Sequence, residues 1–252
     1  MFDRNHILYI LISGIITIVL LSLCSRFVKD QDKKDKILKL AAILTVAIHY
    51  SVLYVDYFST GTAEVESTML LPIYPCNVAM WLLLIVAFMK NRRSKVYTVL
   101  SEFTFYLGIV GGVIGILFNE IYISNPNLAD YDVLNGLLSH STLLFGAIYL
   151  LVGGYINIRV SNVKSVFYGL MLLLVDGVAI ISLYRLFGMD SPNCMYLLEN
   201  PFPQIKWFNT FVLGFIGLIV VFIITSIYEQ VALPESNRWY IKEKEESKER
   251  RV

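Results

Sequence analysis

The sequence predicts an all-α fold: a polytopic membrane protein, built as a single bundle of about seven transmembrane helices, with its N-terminus outside and its C-terminus cytoplasmic. Three observations carry this prediction. Of 252 residues, 56% are hydrophobic and only 16% charged, and the mean hydropathy is +0.63; a soluble domain carries roughly a quarter charged residues. Hydrophobic runs of about 20 residues, the length that spans a bilayer, recur at roughly 5–25, 37–58, 70–89, 96–118, 132–152, 166–187 and 206–228. Of the 21 basic residues, 18 fall on alternate loops or on the tail.

The first run has a long apolar core, and no small-residue cleavage site precedes the basic loop of Arg26, Lys29, Lys33, Lys34, Lys36 and Lys39. It reads as a retained helix, not a signal peptide. The second run carries His49. The third opens with Pro72-Ile73-Tyr74-Pro75-Cys76-Asn77. Pro72 suits a first helical turn, and Pro75 then loosens the backbone near Leu71, because it cannot donate to the carbonyl four residues back. Lys90, Arg92, Arg93 and Lys95 follow this run. The fourth carries Gly108, Gly111, Gly112 and Gly115, a small-residue face suited to close helix contact, and Glu102 near its basic end, in snorkelling reach of Arg93 or Lys95.

After the turn signal Asn125-Pro126-Asn127, the fifth run places His140 between Ser139 and Ser141. Arg159 and Lys164 come next, and the sixth run carries Asp176 near its middle. The tail beyond the seventh run supplies the remaining basic residues. The positive-inside rule places these loops and the C-terminus in the cytoplasm. The expected division is a transmembrane domain over 1–233 and a charged cytoplasmic tail over 234–252, and the expected location is the cell membrane, multi-pass.

Ionisable groups inside a span are costly, about 2.5–3.5 kcal/mol on insertion scales, and so call for a reason. At about 1.5 Å per residue, His49 lies roughly 13 Å below the outer edge, Cys76 roughly 9 Å and His140 roughly 12 Å. Two imidazoles and a thiol thus share one layer. A buried Cys is most often a small hydrophobe, and an intramembrane His often only bonds a neighbouring helix. Together, however, they supply what a reactive thiol needs: a base, through His140 or His49, and the positive end of a helix dipole. Asn77 either donates to an oxyanion or bridges two helices. Asp176 either pairs with a histidine and orients its ring or is protonated and structural. Cys24 reads as packing at the end of the first span. Cys194 falls in an outer loop, from which it could pair with Cys76. No motif for a metal, a cofactor or nucleic acid is present in the sequence.

The segments Leu71-Pro72-Ile73-Tyr74-Pro75-Cys76-Asn77-Val78-Ala79-Met80, Leu138-Ser139-His140-Ser141 and Asn193-Cys194-Met195-Tyr196-Leu197-Leu198-Glu199-Asn200-Pro201 resemble those of the YwaF-type integral membrane proteins of bacteria, grouped with transmembrane protein 164 of animals. The resemblance runs from the second span to the seventh. It implies cysteine-dependent acyl transfer without coenzyme A, with Cys76 as nucleophile, His140 as its base and a membrane phospholipid or lysolipid as substrate. The loop of Asn193 and Tyr196 would face that substrate. Where relatives often carry a His shortly before the cysteine, this chain has Tyr74 and Pro75, and Cys194 stands where a Tyr is usual. A lipid-ester hydrolase would use the same residues with water as acceptor. A transporter would instead join Asp176 to the intramembrane histidines in a proton relay. A seven-helix receptor is invited by span count and orientation.

Overall fold

The computed structural model describes residues 2–60, 71–200 and 204–241. Its helices are α1 (Arg4–Phe27), α2 (Gln31–Thr60), α3 (Pro75–Phe88), α4 (Lys95–Leu117), the short α5 (Glu120–Ser124), α6 (Tyr131–Val152), α7 (Asn162–Leu186) and α8 (Thr210–Ala232), with 3-10 turns at Cys194–Tyr196 and Glu235–Asn237. No strand occurs among the described residues. Among the described residues six helices, α1, α2, α4, α6, α7 and α8, are long and apolar enough to cross a membrane. The protein is therefore a multi-pass helical membrane protein.

Each expected span contains a helix, but the third differs in its start. α3 has 14 residues, or about 21 Å, less than the ~30 Å of a hydrocarbon core. It begins at Pro75, not near Leu70. Tyr74 is extended at φ −107°, ψ 153°, and caps the helix without a side-chain hydrogen bond. The cause is proline geometry. The residue before a proline is pushed out of the helical region, so Pro72 and Pro75 act on Leu71 and Tyr74 in turn. Pro75 takes the first helical position, where its missing N–H costs nothing. The expectation that Pro72 occupies the first turn and Pro75 disturbs a helix interior is thereby corrected.

Other boundaries follow side-chain caps, which satisfy the first backbone donors of a helix. Asp3 accepts from the His6 N–H, Ser94 from Tyr97, Asn119 from Tyr122, Asp130 from Asp132, and Asn209 from Phe211 and Val212. The Asn209 cap starts the last helix at Thr210, four residues later than hydropathy alone suggests.

α4 and α6 form the centre of the bundle, with α2, α3 and α7 around them. A Cβ on Gly108 would stand 2.7 Å from that of Ala147, and one on Gly112 would stand 2.8 Å from that of Leu144. The glycine face is thus a close helix contact, as its spacing suggests. Gly146 likewise admits Leu83 of α3, and Gly169 admits the Phe103 ring to α7. The outer helices α1 and α8 are mostly unburied in the bundle and expose Ile15, Ile18, Phe215 and Ile224 among others. This apolar surface suits a hydrocarbon environment.

The basic loops gather at one end. There Asp35 accepts from Arg92 at 2.7 Å and from the Tyr155 hydroxyl at 2.7 Å. Glu229, 2% exposed, accepts the Val160 N–H at 2.7 Å and the Trp239 N–H at 2.9 Å. Glu102 does not snorkel toward Arg93 or Lys95; it accepts from the Ser165 hydroxyl of α7. Most of the charged tail, 242–252, lies outside the described residues.

Glu229 holds the α6–α7 loop and the chain after α8 to one carboxylate, and hydrogen bonds to a charged group contribute about 1.5–3 kcal/mol each. Glu229→Ala is expected to destabilise the protein by about 2–5 kcal/mol, read as a fall in the thermal unfolding midpoint in detergent, with Glu229→Gln retaining part of the loss.

Candidate functional site

At the other end of the bundle, the start of α3 carries the thiol. Pro75, Cys76 and Asn77 are its first three residues. The Asn77 N–H donates to the Tyr74 carbonyl at 3.0 Å, in a tight first turn. Cys76 is therefore seated at the positive end of a helix dipole, which favours negative charge there.

The histidines reach this point from two sides. The Cys76 Sγ donates to Asn77 Oδ1 at 3.3 Å, and Asn77 Nδ2 lies 3.3 Å from His49 Nε2 on α2. The His49 ring meets Tyr50 edge-on, and the Tyr50 hydroxyl accepts from Trp81. From α6, His140 packs on the glycine face of α4. A Cβ on Gly115 would fall 2.2 Å from its Nδ1 and 2.3 Å from two ring carbons, and one on Gly111 would fall 3.2 Å from the Cys76 Cβ. Gly111 and Gly115 are one helical turn apart, so thiol and imidazole lie on neighbouring steps of one face. His140 Nδ1 is buried and has no hydrogen-bond partner among the described residues. Cys76, Asn77, His49 and His140 are thus gathered in one place.

The segment before α3 is covered by the loop between α7 and α8. The Ile73 carbonyl accepts the Met195 N–H at 3.0 Å, and the Thr210 hydroxyl donates to the Met195 carbonyl at 2.9 Å. Met195 and Tyr196 both adopt positive φ, 52° and 56°, a region that non-glycine residues rarely occupy. That conformation brings the Tyr196 ring to 5.9 Å from Tyr74, two residues before the thiol. Asn193 organises the loop from within: Oδ1 accepts from the N–H groups of Leu198 and Glu199, and Nδ2 donates to the Glu199 carbonyl. Pro201 lies outside the described residues.

Asp176 makes no hydrogen bond to either histidine among the described residues. Its Oδ2 is buried and unpartnered among the described residues, its charge acts on the Cys194 thiol, and neighbouring Gly177 packs against Met195 and Leu197. Cys194 is fully buried with Ile73, Ile180, Ile181 and Tyr184. Burial, and then the Asp176 carboxylate, push its thiol up to about 11. All three cysteines are free, so Cys194 and Cys76 are not bonded. Among the described residues, no group of three His, Cys, Asp or Glu is placed to hold a metal ion.

The first apolar run also carries a third histidine, His6. It is buried, with Nε2 2.8 Å from the Ile116 carbonyl at the end of α4 and its ring against Tyr122. Its only signal was a polar residue one turn into an apolar run.

These features define a class: a multi-pass helical membrane protein with a thiol and two imidazoles gathered at a broken helix start. A family model described as the TMEM164 family matches residues 1–228, and the chain belongs to that family. No curated protein and no solved structure matches it.

Two outcomes follow from the geometry. Gly115→Ala places a methyl group in the His140 ring and is expected to cost about 1–3 kcal/mol, measured by thermal unfolding, because neither helix can withdraw without losing the neighbouring contacts at Gly108 and Gly112. For Cys194, the folded pKa of about 11 stands above the ordinary 9.0. The unfolded chain therefore loses this proton first, and stability falls as pH rises from about 9 toward 11. Unfolding midpoints at pH 8 and pH 10.5 should differ less in Cys194→Ala than in the parent.

Proposed function

We propose that this protein is a membrane-embedded acyltransferase that moves an acyl chain from a membrane lipid to a lipid or other acceptor through a thioester on Cys76. The observation that carries the reading is the placement of Cys76 at the α3 start, hydrogen-bonded through Asn77 to His49 and one helical step from His140. The sequence resemblance to a family whose animal member is regarded as a cysteine- and histidine-dependent acyltransferase supports the same residues.

In the first step His140 takes the Cys76 proton, and the sulfur attacks the ester carbonyl of the donor lipid. The Asn77 side-chain amide holds the tetrahedral oxyanion, since the Asn77 and Val78 N–H groups are committed to the Tyr74 carbonyl. Collapse expels the lysolipid alkoxide, which takes the proton back from the imidazolium, leaving the acyl group on sulfur. In the second step an acceptor hydroxyl gives its proton to His140 and attacks the thioester, and the departing thiolate is reprotonated. Atoms and charges balance with no further reactant. Water as acceptor would make the protein a hydrolase.

The Asn77 amide gives His49 a part in both states. With its oxygen toward sulfur it accepts from the thiol. Rotated by 180°, its NH₂ donates to the thiolate while its oxygen accepts from the His49 ring. His49 and Asn77 are thus orienting groups. The Tyr74–Tyr196 pair and the loop that Asn193 holds form the substrate-facing rim, and Asp176 supports that loop through Cys194. By the positive-inside rule, the basic end and the charged tail face the cytoplasm, the N-terminus lies outside, and Cys76 works from the outer half of the cell membrane.

Intact-protein mass spectrometry of the chain from native membranes tests this reading. A hydroxylamine-sensitive acyl adduct on Cys76 is expected, absent in Cys76→Ala. His140→Ala is expected to slow adduct formation by about 10²–10⁴-fold, and Asn77→Leu by about tenfold or less. A folded Cys76→Ala protein that still exchanges lipid acyl chains at the parent rate refutes the proposal. Free fatty acid without acylated acceptor identifies the hydrolase.

A further inference from the structure

Of the three histidines, His6 alone has no part in the proposed reaction, yet its side chain is fully buried. The carbonyl it meets accounts for that placement. α4 ends at Leu117, and the last four carbonyls of a helix lack partners within it. The Ile114 carbonyl accepts the Phe118 N–H at 2.7 Å, and the Ile116 carbonyl is met by His6 Nε2 at 2.8 Å. A carbonyl only accepts, so Nε2 carries the proton. His6 thus closes the last turn of α4 from another helix. Gly115, whose missing side chain admits the His140 ring, lies in that turn.

One turn further along α1, Tyr9 makes the matching contact on α6. Its hydroxyl lies 2.9 Å from Ser141 Oγ. Ser141 has one hydroxyl proton and gives it to the Leu137 carbonyl at 2.9 Å, so Tyr9 is the donor. Ser141 follows His140 directly in the chain. Residues three apart on a helix share a face. One face of α1 therefore holds α4 one residue after Gly115 and α6 one residue after His140. The two helices that seat the imidazole are tied to a third at its own level.

These polar contacts decide where α1 sits. Apart from His6, it buries only Thr17 and Leu21 in the bundle, and apolar burial adds little between helices in lipid. Asp3 accepts the His6 N–H at 2.9 Å and the Tyr122 hydroxyl at 2.7 and 2.9 Å. The His6 ring stacks on Phe2 at 5.5 Å and packs on Tyr122 at 4.5 Å. The donor on His6 is thus held in place from its own backbone outward. Gly108 and Gly112 set the spacing of α4 and α6 on one side of His140. On the other side α4 stops two residues beyond Gly115, and there His6 and Tyr9 do the holding.

We propose that His6 and Tyr9 are positioning residues for His140. Through Ile116 and Ser141 they keep the imidazole in the orientation that takes the Cys76 proton. This role rests on the reading of His140 as the base for Cys76, and it gives α1 a part in the reaction besides membrane anchorage.

The test uses the full chain in lipid bilayers and three variants. Tyr9→Phe keeps the ring and removes only the hydroxyl. His6→Gln keeps a donor for the Ile116 carbonyl, and His6→Leu removes it. Tyr9→Phe is expected to slow acyl-adduct formation on Cys76 by about fivefold and His6→Leu by about tenfold, with the KM for donor lipid unchanged and His6→Gln within about twofold of the parent. Alkylation of Cys76 by iodoacetamide, read on its own peptide, is expected to fall by similar factors at about pH 7 and to rejoin the parent at about pH 10, where hydroxide ionises the thiol without a base. The imidazole nitrogen resonances of His140, assigned by their loss in His140→Ala, are expected to shift in Tyr9→Phe. A parent chain that takes no acyl adduct refutes the acyl-transfer reading, while alkylation and the resonances still decide the positioning role. An unchanged alkylation profile and unchanged His140 resonances in Tyr9→Phe, with a parent-like unfolding midpoint, overturn that role. So does a folded His6→Gln chain as slow as His6→Leu. Should His6→Leu fail to fold, Tyr9→Phe decides.

Discussion

The close approach of α4 to α6 is the constraint on which the rest of the structure depends. In a membrane, helices gain little from burying apolar surface, because lipid is equally apolar, and so packing contact must hold them. Gly108 and Gly112 admit Ala147 and Leu144, and this sets the spacing of the two central helices. One turn further, the same face has no side chain at Gly115, and the His140 ring fills that space. Gly111 does the same for Cys76 from α3. A single run of glycines thus fixes both the scaffold and the relative position of a thiol and an imidazole.

The second constraint is the break before α3. A continuous span would place Cys76 mid-helix, its backbone donors consumed by the ladder. Because Pro75 opens the helix, Cys76 stands instead at the positive end of the helix dipole. The exposed carbonyl of Ile73 must then find a partner, since backbone groups left unpaired away from water are costly, and the Met195 N–H supplies it. The left-handed turn at Met195 and Tyr196 follows from that requirement. It also brings Tyr196 against Tyr74. The broken helix, the covering loop and the reactive position are consequences of one another.

The two ends of the bundle are chemically unlike. One gathers a thiol, an amide and two imidazoles among apolar residues. The other is laced by carboxylates that tie loops together, Asp35 to Arg92 and Tyr155, and Glu229 to Val160 and Trp239.

Hydropathy and charge determined the helical class, the number of apolar runs and the alternation of basic loops, because these follow from transfer free energies that each residue contributes nearly independently. The layer shared by His49, Cys76 and His140 was also legible, since helical rise converts sequence position directly into depth. Rotation about each helix axis was not, because it depends on which neighbour packs where. The sequence alone could not say that Asn77 would link Cys76 to His49, or that Glu102 would meet Ser165 across two helices. Nor did it place the start of α3 at Pro75, where proline sterics override an unbroken hydropathy signal. Sequence determined which groups stand at which depth; only tertiary packing decided which of them face one another, because facing depends on contacts between residues far apart in the chain.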